Sequence, residues 1–266
     1  MTVRPMDLPS EHIAAIEQAV AQTTLRVFVT DIGGQKTVVK RQEAARPSWR
    51  YAILRGFSRL LREPLLMPAH VPGGAAAQAI EVARLTRLYN AGVPVPALLH
   101  VTPKWIAMEC VGAENLGDTL RRTSSVAEKR ALWVQALEAI LQTHQKNQNL
   151  SQVFIRNVMY DNGRVVFIDF EDDPEQSMGL ANAQARDWLF FLFGSVWMLD
   201  MPLDEAVKLF WQYLKQDSVE VQQALLHSGK VVGWLRHLPS KRKPWGRDVI
   251  AAQNAGALLH ALKKMA

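Results

Sequence analysis

Cysteine is almost missing from this chain. Cys110 is the only one in 266 residues, so no internal disulfide can form, which fits a reducing compartment. Long apolar runs are missing too: the longest, Trp188 to Leu199, has twelve residues, where a bilayer-spanning helix needs about 20. No charged-then-apolar stretch opens the sequence, and nothing there suggests secretion. Internal repeats and low-complexity segments are also absent from the sequence. What remains, 48% apolar and 21% charged, is the composition of a globular protein able to bury a sizeable core, as one large domain or two lobes. The formal charge of +6 is moderate and unevenly placed. It asks where the basic residues lie rather than announcing nucleic acid.

The most informative stretch is Arg164-Val165-Val166-Phe167-Ile168-Asp169-Phe170-Glu171-Asp172-Asp173. Four apolar residues end abruptly in an acid, the pattern of a buried strand that delivers a carboxylate to a cleft. Asn157 precedes a short strand, Val158-Met159-Tyr160, and Asp161-Asn162-Gly163 makes a tight turn between the two strands. The hairpin brings Asn157 near Asp169, two oxygen donors suited to a hard cation such as Mg²⁺. The bland alternative is an ordinary hairpin with a solvated acidic end.

Upstream, residues 10–22 read as a short helix, and 25–30 and 37–41 as strands joined by Asp31-Ile32-Gly33-Gly34-Gln35. Lys40 closes the second strand, where it is either a solvated strand end or a cation facing a cleft. Ala75 to Asn90 is a helix with Ile80, Leu85 and Leu88 on its apolar side and Glu81 in its first half, stopped by Gly92 and Pro94. Strands follow at 98–101 and 105–108, then an extended link, Glu109-Cys110-Val111-Gly112, where a boundary between two lobes (1–111 and 112–266) is expected. Beyond it helices are expected at 116–122, 126–145, 183–197, 203–216, 219–226 and 250–264.

Arg46 to Arg62 holds five arginines and no acid. Helical spacing places Ile53, Leu54, Phe57, Leu60 and Leu61 on one face and Arg55, Arg59 and Arg62 on the other. This is either a helix docked on its own domain with a solvated basic face, or a surface for anionic lipid or a polyanionic substrate. Pro64 to Gly74 reads as a loop, and Lys241-Arg242-Lys243-Pro244-Trp245-Gly246-Arg247 as a second basic cluster.

A sheet-rich first part with one internal helix, an extended link and a helical part with an Asn…Asp hairpin resembles the protein-kinase-like fold. That fold is α+β and bilobal, with a small antiparallel sheet in the first lobe. More narrowly the chain is similar to the bacterial lipopolysaccharide-core and Kdo kinases and toluene-tolerance-type proteins. The resemblance rests on Val38-Val39-Lys40, on Glu81, on Arg156-Asn157 with Ile168-Asp169-Phe170, and on Arg186-Asp187, with His144 ending the long helix. It implies that Lys40 meets nucleotide phosphates and Glu81 holds Lys40. It further implies that Asn157 and Asp169 bind Mg²⁺, and that the link at Glu109 and Val111 offers backbone groups to the adenine of ATP. His144 and Asp187 are expected to be structural, Asp187 as an N-terminal cap of its helix.

Two departures qualify what the resemblance implies. The position of the acid that orients the acceptor hydroxyl is Gln152, which cannot act as a base, and losing a general base typically costs about 10²–10⁴-fold. Glu171, at a position where kinases usually carry Gly, could substitute or add a metal ligand. The second departure is that nothing glycine-rich precedes Arg26-Val27-Phe28-Val29 to form a phosphate lid. Three functions follow as expectations: a phosphotransferase using ATP and Mg²⁺ on an envelope lipid or saccharide, a pseudokinase, or a membrane or polyanion adaptor working through Arg55, Arg59 and Arg62. A cytoplasmic location, peripheral to the inner membrane, goes with the first.

Overall fold

The structure, a computed structural model, describes residues 8–42, 65, 73–161, 163–240 and 244–265. The basic stretch with Arg55, Arg59 and Arg62, most of the 64–74 loop, and Lys241-Arg242-Lys243 lie outside the described residues.

Helix α1 (Ser10–Gln22) leads into strands β1 (Val27–Ile32) and β2 (Gln35–Arg41). The expected five-residue connection is in fact a two-residue turn. Gly33 and Gly34 sit at φ 59° and 82°, the left-handed pair that a tight, twisted hairpin requires. Both strands therefore run closer to the turn, and the second ends at Arg41 as expected. Helix α2 (Gly74–Asn90) comes next, then β3 (Leu98–Val101) and β4 (Trp105–Glu109). These four strands form an antiparallel sheet in the order β1-β2-β4-β3.

Alternation along β4 sends its side chains to two different cores. Trp105 and Ala107 join Ile16, Ile32, Val39 and Leu99 in a small cluster under α1. Ile106 and Met108 face the main core, which runs on through Leu116, Trp133, Phe167, Trp188 and Phe210 to Leu262. Strand β4 is thus buried on both sides, facing the small cluster under α1 on one and the main core on the other.

The second half holds β5 (Glu114–Asn115), α3 (Leu116–Arg122), α4 (Val126–Gln145), a 3₁₀ turn (Ile155–Asn157), β6 (Val158–Asp161) and β7 (Arg164–Phe167). After these come α5 (Glu175–Met178), α6 (Leu180–Ser195), α7 (Leu203–Leu214), α8 (Val219–Val232) and α9 (Arg247–Leu262). The hairpin gains an unexpected third strand, since β5 pairs with β6. β5 is only two residues long, too short to show a period of two in the sequence. Asn115 also caps α3, accepting from Asp118 N at 3.0 Å.

Helix α6 begins three residues earlier than its apolar pattern suggests, directly after Gly179 at φ 78°. Asp187 therefore lies in the middle of α6 and does not cap it, and its structural role has another source. Among the described residues no helix is long and apolar enough to cross a membrane. The architecture is α+β: a small antiparallel sheet with α1 and α2 first, and a mainly helical part after it.

Candidate functional site

A cleft of about 430 Å³ opens between the β1–β2 hairpin, the end of β4 and the β6–β7 hairpin. Its roof is Val27 and Val29, both exposed, with Val38 beside them; its floor includes Met159 and Ile168. Met108 to Gly112 form its back wall. The result is an apolar slot with a charged end, because Lys40, Glu81, Asn157 and Asp169 also line it.

Lys40 organises that end. Its register opposite Val27 on β1 and Ile106 on β4 fixes where the side chain leaves the sheet. Nζ donates to Glu81 Oε1 at 2.7 Å and to Asp169 Oδ1 at 3.1 Å, and lies 2.9 Å from Glu171 Oε1. Burial alone would lower the Lys40 pKa, but the carboxylates of Glu81, Asp169 and Glu171 outweigh it and raise the pKa. Lys40 therefore stays a cation. Burial pushes the Glu81 carboxyl up, opposed chiefly by Lys40. Glu171 moves the other way: burial would raise it, but Lys40 and Arg26 together hold it below its ordinary value.

The structure places Glu171 between Lys40 and Arg26, whose guanidinium forms an ion pair with the same Oε1. That position makes it a charge partner. A carboxylate held down by two cations is a weak base, so the geometry does not favour a substitute for the missing acid at position 152.

Asn157 ends the 3₁₀ turn and is buried. Its Nδ2 donates to the Gln152 carbonyl at 3.0 Å, which leaves the side-chain oxygen as its donor atom for a cation. Ile168 N donates to the Asn157 carbonyl at 3.0 Å, tying the segment before Asp169 to the same turn. Asp169 itself sits at φ 72°, a left-handed conformation unfavourable for a non-glycine residue and often retained where a side chain must be aimed. One amide oxygen and one carboxylate fit Mg²⁺, which keeps waters and takes its remaining ligands from phosphates. Among the described residues no group of three or more His, Cys, Asp and Glu could hold a metal ion, so a cage made wholly of protein groups is not what these residues offer.

Gln152 donates from Nε2 to Asp172 Oδ1 at 3.3 Å, and buried Ser151, at φ 74°, bonds the same oxygen through its hydroxyl. Asp172 and Glu171 are both buried, which rules out the bland alternative of a solvated acidic end at these two residues. Glu109 uses its N–H on the Ala97 carbonyl at 2.9 Å. Of the two link residues expected to meet adenine, Glu109 thus has its donor committed, while Val111 lies in the Cys110–Gly112 stretch that no strand pairing engages.

Helix α2 carries two charges on its buried face. Ala77, Glu81, Arg84, Leu85 and Leu88 point inward, while Ile80, expected there, is only partly buried. Arg84 donates to the Asn149 carbonyl at 2.7 Å and to Asp173 Oδ1 at 3.3 Å. Burial lowers the Arg84 pKa and Asp173 offsets part of that. Arg87 reaches Glu175 at 2.9 Å. The loop that carries Gln152 is held from the other side by α6. Asp187 Oδ2 accepts from Leu150 N at 2.6 Å and lies 3.4 Å from His144 Nε2. His144 Nδ1 meets Asp217 Oδ2 at 2.6 Å.

Sequence reasoning missed Arg26, Arg84, Asp172 and Asp217. Arg84 had a signal, since it stands three residues after Glu81 on the same helical face. The other three had none in their local pattern. A second cavity of about 280 Å³, lined by apolar residues including Phe154, Phe190 and Leu259, lies in the helical part away from these charges.

With this geometry in place, comparison with known families adds one finding. Residues 74–190 match the model of the RIO domain. The fold is protein-kinase-like. The matched span is less than half of the chain and includes Glu81, Gln152, Asn157 and Asp169, while Lys40 precedes it. No curated protein matches the chain.

Proposed function

We propose that this kinase-like chain binds ATP with Mg²⁺ in the cleft at Lys40 and transfers the γ-phosphate to an envelope lipid or saccharide. The RIO match supports the kinase-like part, whether as phosphotransferase or pseudokinase. One observation carries it to this cleft: Lys40 lies 2.7 Å from Glu81 and 3.1 Å from Asp169 at the charged end of an apolar slot. Adenine fits between Val38, Met108, Met159 and Ile168, with backbone groups near Val111 at its edge. Lys40, its rotamer held by Glu81, meets the phosphates. Asn157 and Asp169 hold the cation, which when bound neutralises charge on the β- and γ-phosphates. In-line transfer needs little covalent help from the protein, so positioning by these residues is the main contribution.

The acceptor class rests on the basic amphipathic stretch in the sequence. Replacing Arg55, Arg59 and Arg62 with Ser should weaken sedimentation with anionic vesicles, steeply with salt; unchanged sedimentation removes the membrane part.

A second reading, a pseudokinase, is favoured by Gln152, whose side chain and carbonyl are engaged by Asp172 and Asn157 and which carries no acid. A transferase and a nucleotide-binding pseudokinase share nucleotide binding, and a purely scaffolding one lacks it. A thermal-shift titration with ATP, with and without Mg²⁺, tests the nucleotide-binding reading, because a ligand of the folded state raises its melting temperature. Binding that requires Mg²⁺ and is lost in Asp169→Ala supports it. No shift at saturating ATP sinks it.

A further inference from the structure

Among the described residues the cleft has no glycine-rich lid, yet its charged end holds a second cation. Arg26 stands immediately before β1, next to Val27, which pairs with Lys40 in the β1–β2 ladder, and Arg41 N donates to the Arg26 carbonyl at 2.8 Å. The ladder sets Arg26 opposite Arg41, one position from Lys40, and both Arg26 and Lys40 line the cleft. They also share a partner. Glu171 Oε1 receives Lys40 Nζ at 2.9 Å and the Arg26 guanidinium.

Among the described residues this cluster joins two cations, Arg26 and Lys40, to three carboxylates, Glu81, Asp169 and Glu171. A polyphosphate that reaches both cations must displace the carboxylate that already holds them. Glu81 is fixed on the buried face of α2, and Asp169 is one of the two cation ligands proposed above. Glu171 is the one that remains. It lies between β7 and α5, in neither strand nor helix, and it occupies both cations at once. An arginine fork suits a phosphate's paired oxygens better than a lysine's point charge does.

We propose that Arg26 is a second phosphate-binding residue of the cleft, and that Glu171 holds Arg26 and Lys40 in the nucleotide-free protein and yields them to the polyphosphate of a nucleoside triphosphate. This rests on the nucleotide reading above and adds to it which residues grip the phosphates and what must move first.

Isothermal titration of the full chain with ATP and with adenosine, both in Mg²⁺, tests it. Arg26→Gln weakens ATP about tenfold, the size of one charge-assisted contact, and leaves adenosine unchanged. Arg26→Lys restores only part of the loss. Glu171→Gln tightens ATP severalfold and again leaves adenosine unchanged. The proposal is overturned if Arg26→Gln leaves the ratio of ATP to adenosine affinity as it was. It is also overturned if Glu171→Gln weakens ATP, the result expected of a metal ligand. Wild-type protein that binds neither compound refutes the nucleotide reading and this proposal together. Binding of both, with unchanged ratios in the variants, refutes this proposal alone.

Discussion

Arg84 donates to the backbone carbonyl of Asn149 at 2.7 Å, from a position three residues beyond Glu81 on the same buried face of α2. The helix that fixes Lys40 therefore also fixes the loop that leads to Gln152 and Asn157. Sheet, helix and loop are joined by charged groups with almost no exposure to solvent, where unpaired charges are expensive.

Replacing Arg84 with Met should be costly. It leaves the Asn149 carbonyl and the Asp173 carboxylate without this partner, and removing one member of a buried charged pair costs about 3–5 kcal/mol. A urea melt of Arg84→Met should show a loss of that order, partly recovered in Arg84→Lys. A change below about 0.5 kcal/mol would mean that the loop is held elsewhere.

Lys40→Met should abolish the ATP-dependent thermal shift and, in the absence of ATP, lower stability by about 3 kcal/mol, because Glu81 is left buried without its cation. Replacing both, Lys40→Met with Glu81→Leu, should recover much of the stability but none of the binding. A loss in the double variant equal to the sum of the losses in Lys40→Met and Glu81→Leu alone would show that the pair is not coupled.

His144 carries a pH signature. Burial alone would lower its pKa, but hydrogen bonds to Asp187 and Asp217 outweigh that and raise it. A raised histidine pKa contributes stability that is fully present below the unfolded value, about 6.5, and is lost as pH rises through the folded value. Asp217 runs the opposite way. Burial would raise its pKa, but His144 outweighs that and lowers it. Its contribution is present above the unfolded value, about 3.9, and is lost as pH falls through the folded one. This cluster should thus stabilise most between about pH 4 and 6.5. His144→Gln should flatten the alkaline limb of the stability profile, and a limb unchanged in the variant would contradict this.

Gln152→Asp separates transferase from pseudokinase. The new carboxylate would face Asp172, which Gln152 now approaches to 3.3 Å, so stability should fall by about 1 kcal/mol from like-charge repulsion. On the transferase reading, turnover of ATP should nonetheless rise at least about 100-fold, the low side of what a general base supplies. Turnover that is unchanged or lower would mean that Gln152 is no simple lesion in an ordinary kinase.

Much of this molecule was legible from local pattern. The strand ending at Asp169, its hairpin partner, α2 and the long helix ending at His144 all follow from residue alternation, turn residues and helical spacing. Boundaries slipped where one residue decides them: Gly33-Gly34 shortened a turn, and Gly179 started α6 early enough to put Asp187 in mid-helix. The candidate site was legible in part. The resemblance to the protein-kinase-like fold singles out Lys40, Glu81, Asn157 and Asp169, and they line one cleft. Glu171 could be read only as a substitute acid or a metal ligand, because its cation partners lie far away in the chain.

The sequence by itself determined the elements and their order, because hydrogen bonding within helices and hairpins depends on neighbours a few residues away. Only the tertiary structure decided which charges are buried and against what. Glu81 and Lys40 are 41 residues apart in the chain, and Arg84 and Asn149 are 65 apart. A charge can be buried only where its partner arrives, and that arrival depends on how the sheet, α2 and the hairpin close on one another. For the same reason Glu171 could be named in advance but not understood. Its meaning lies in Arg26, 145 residues earlier in the chain.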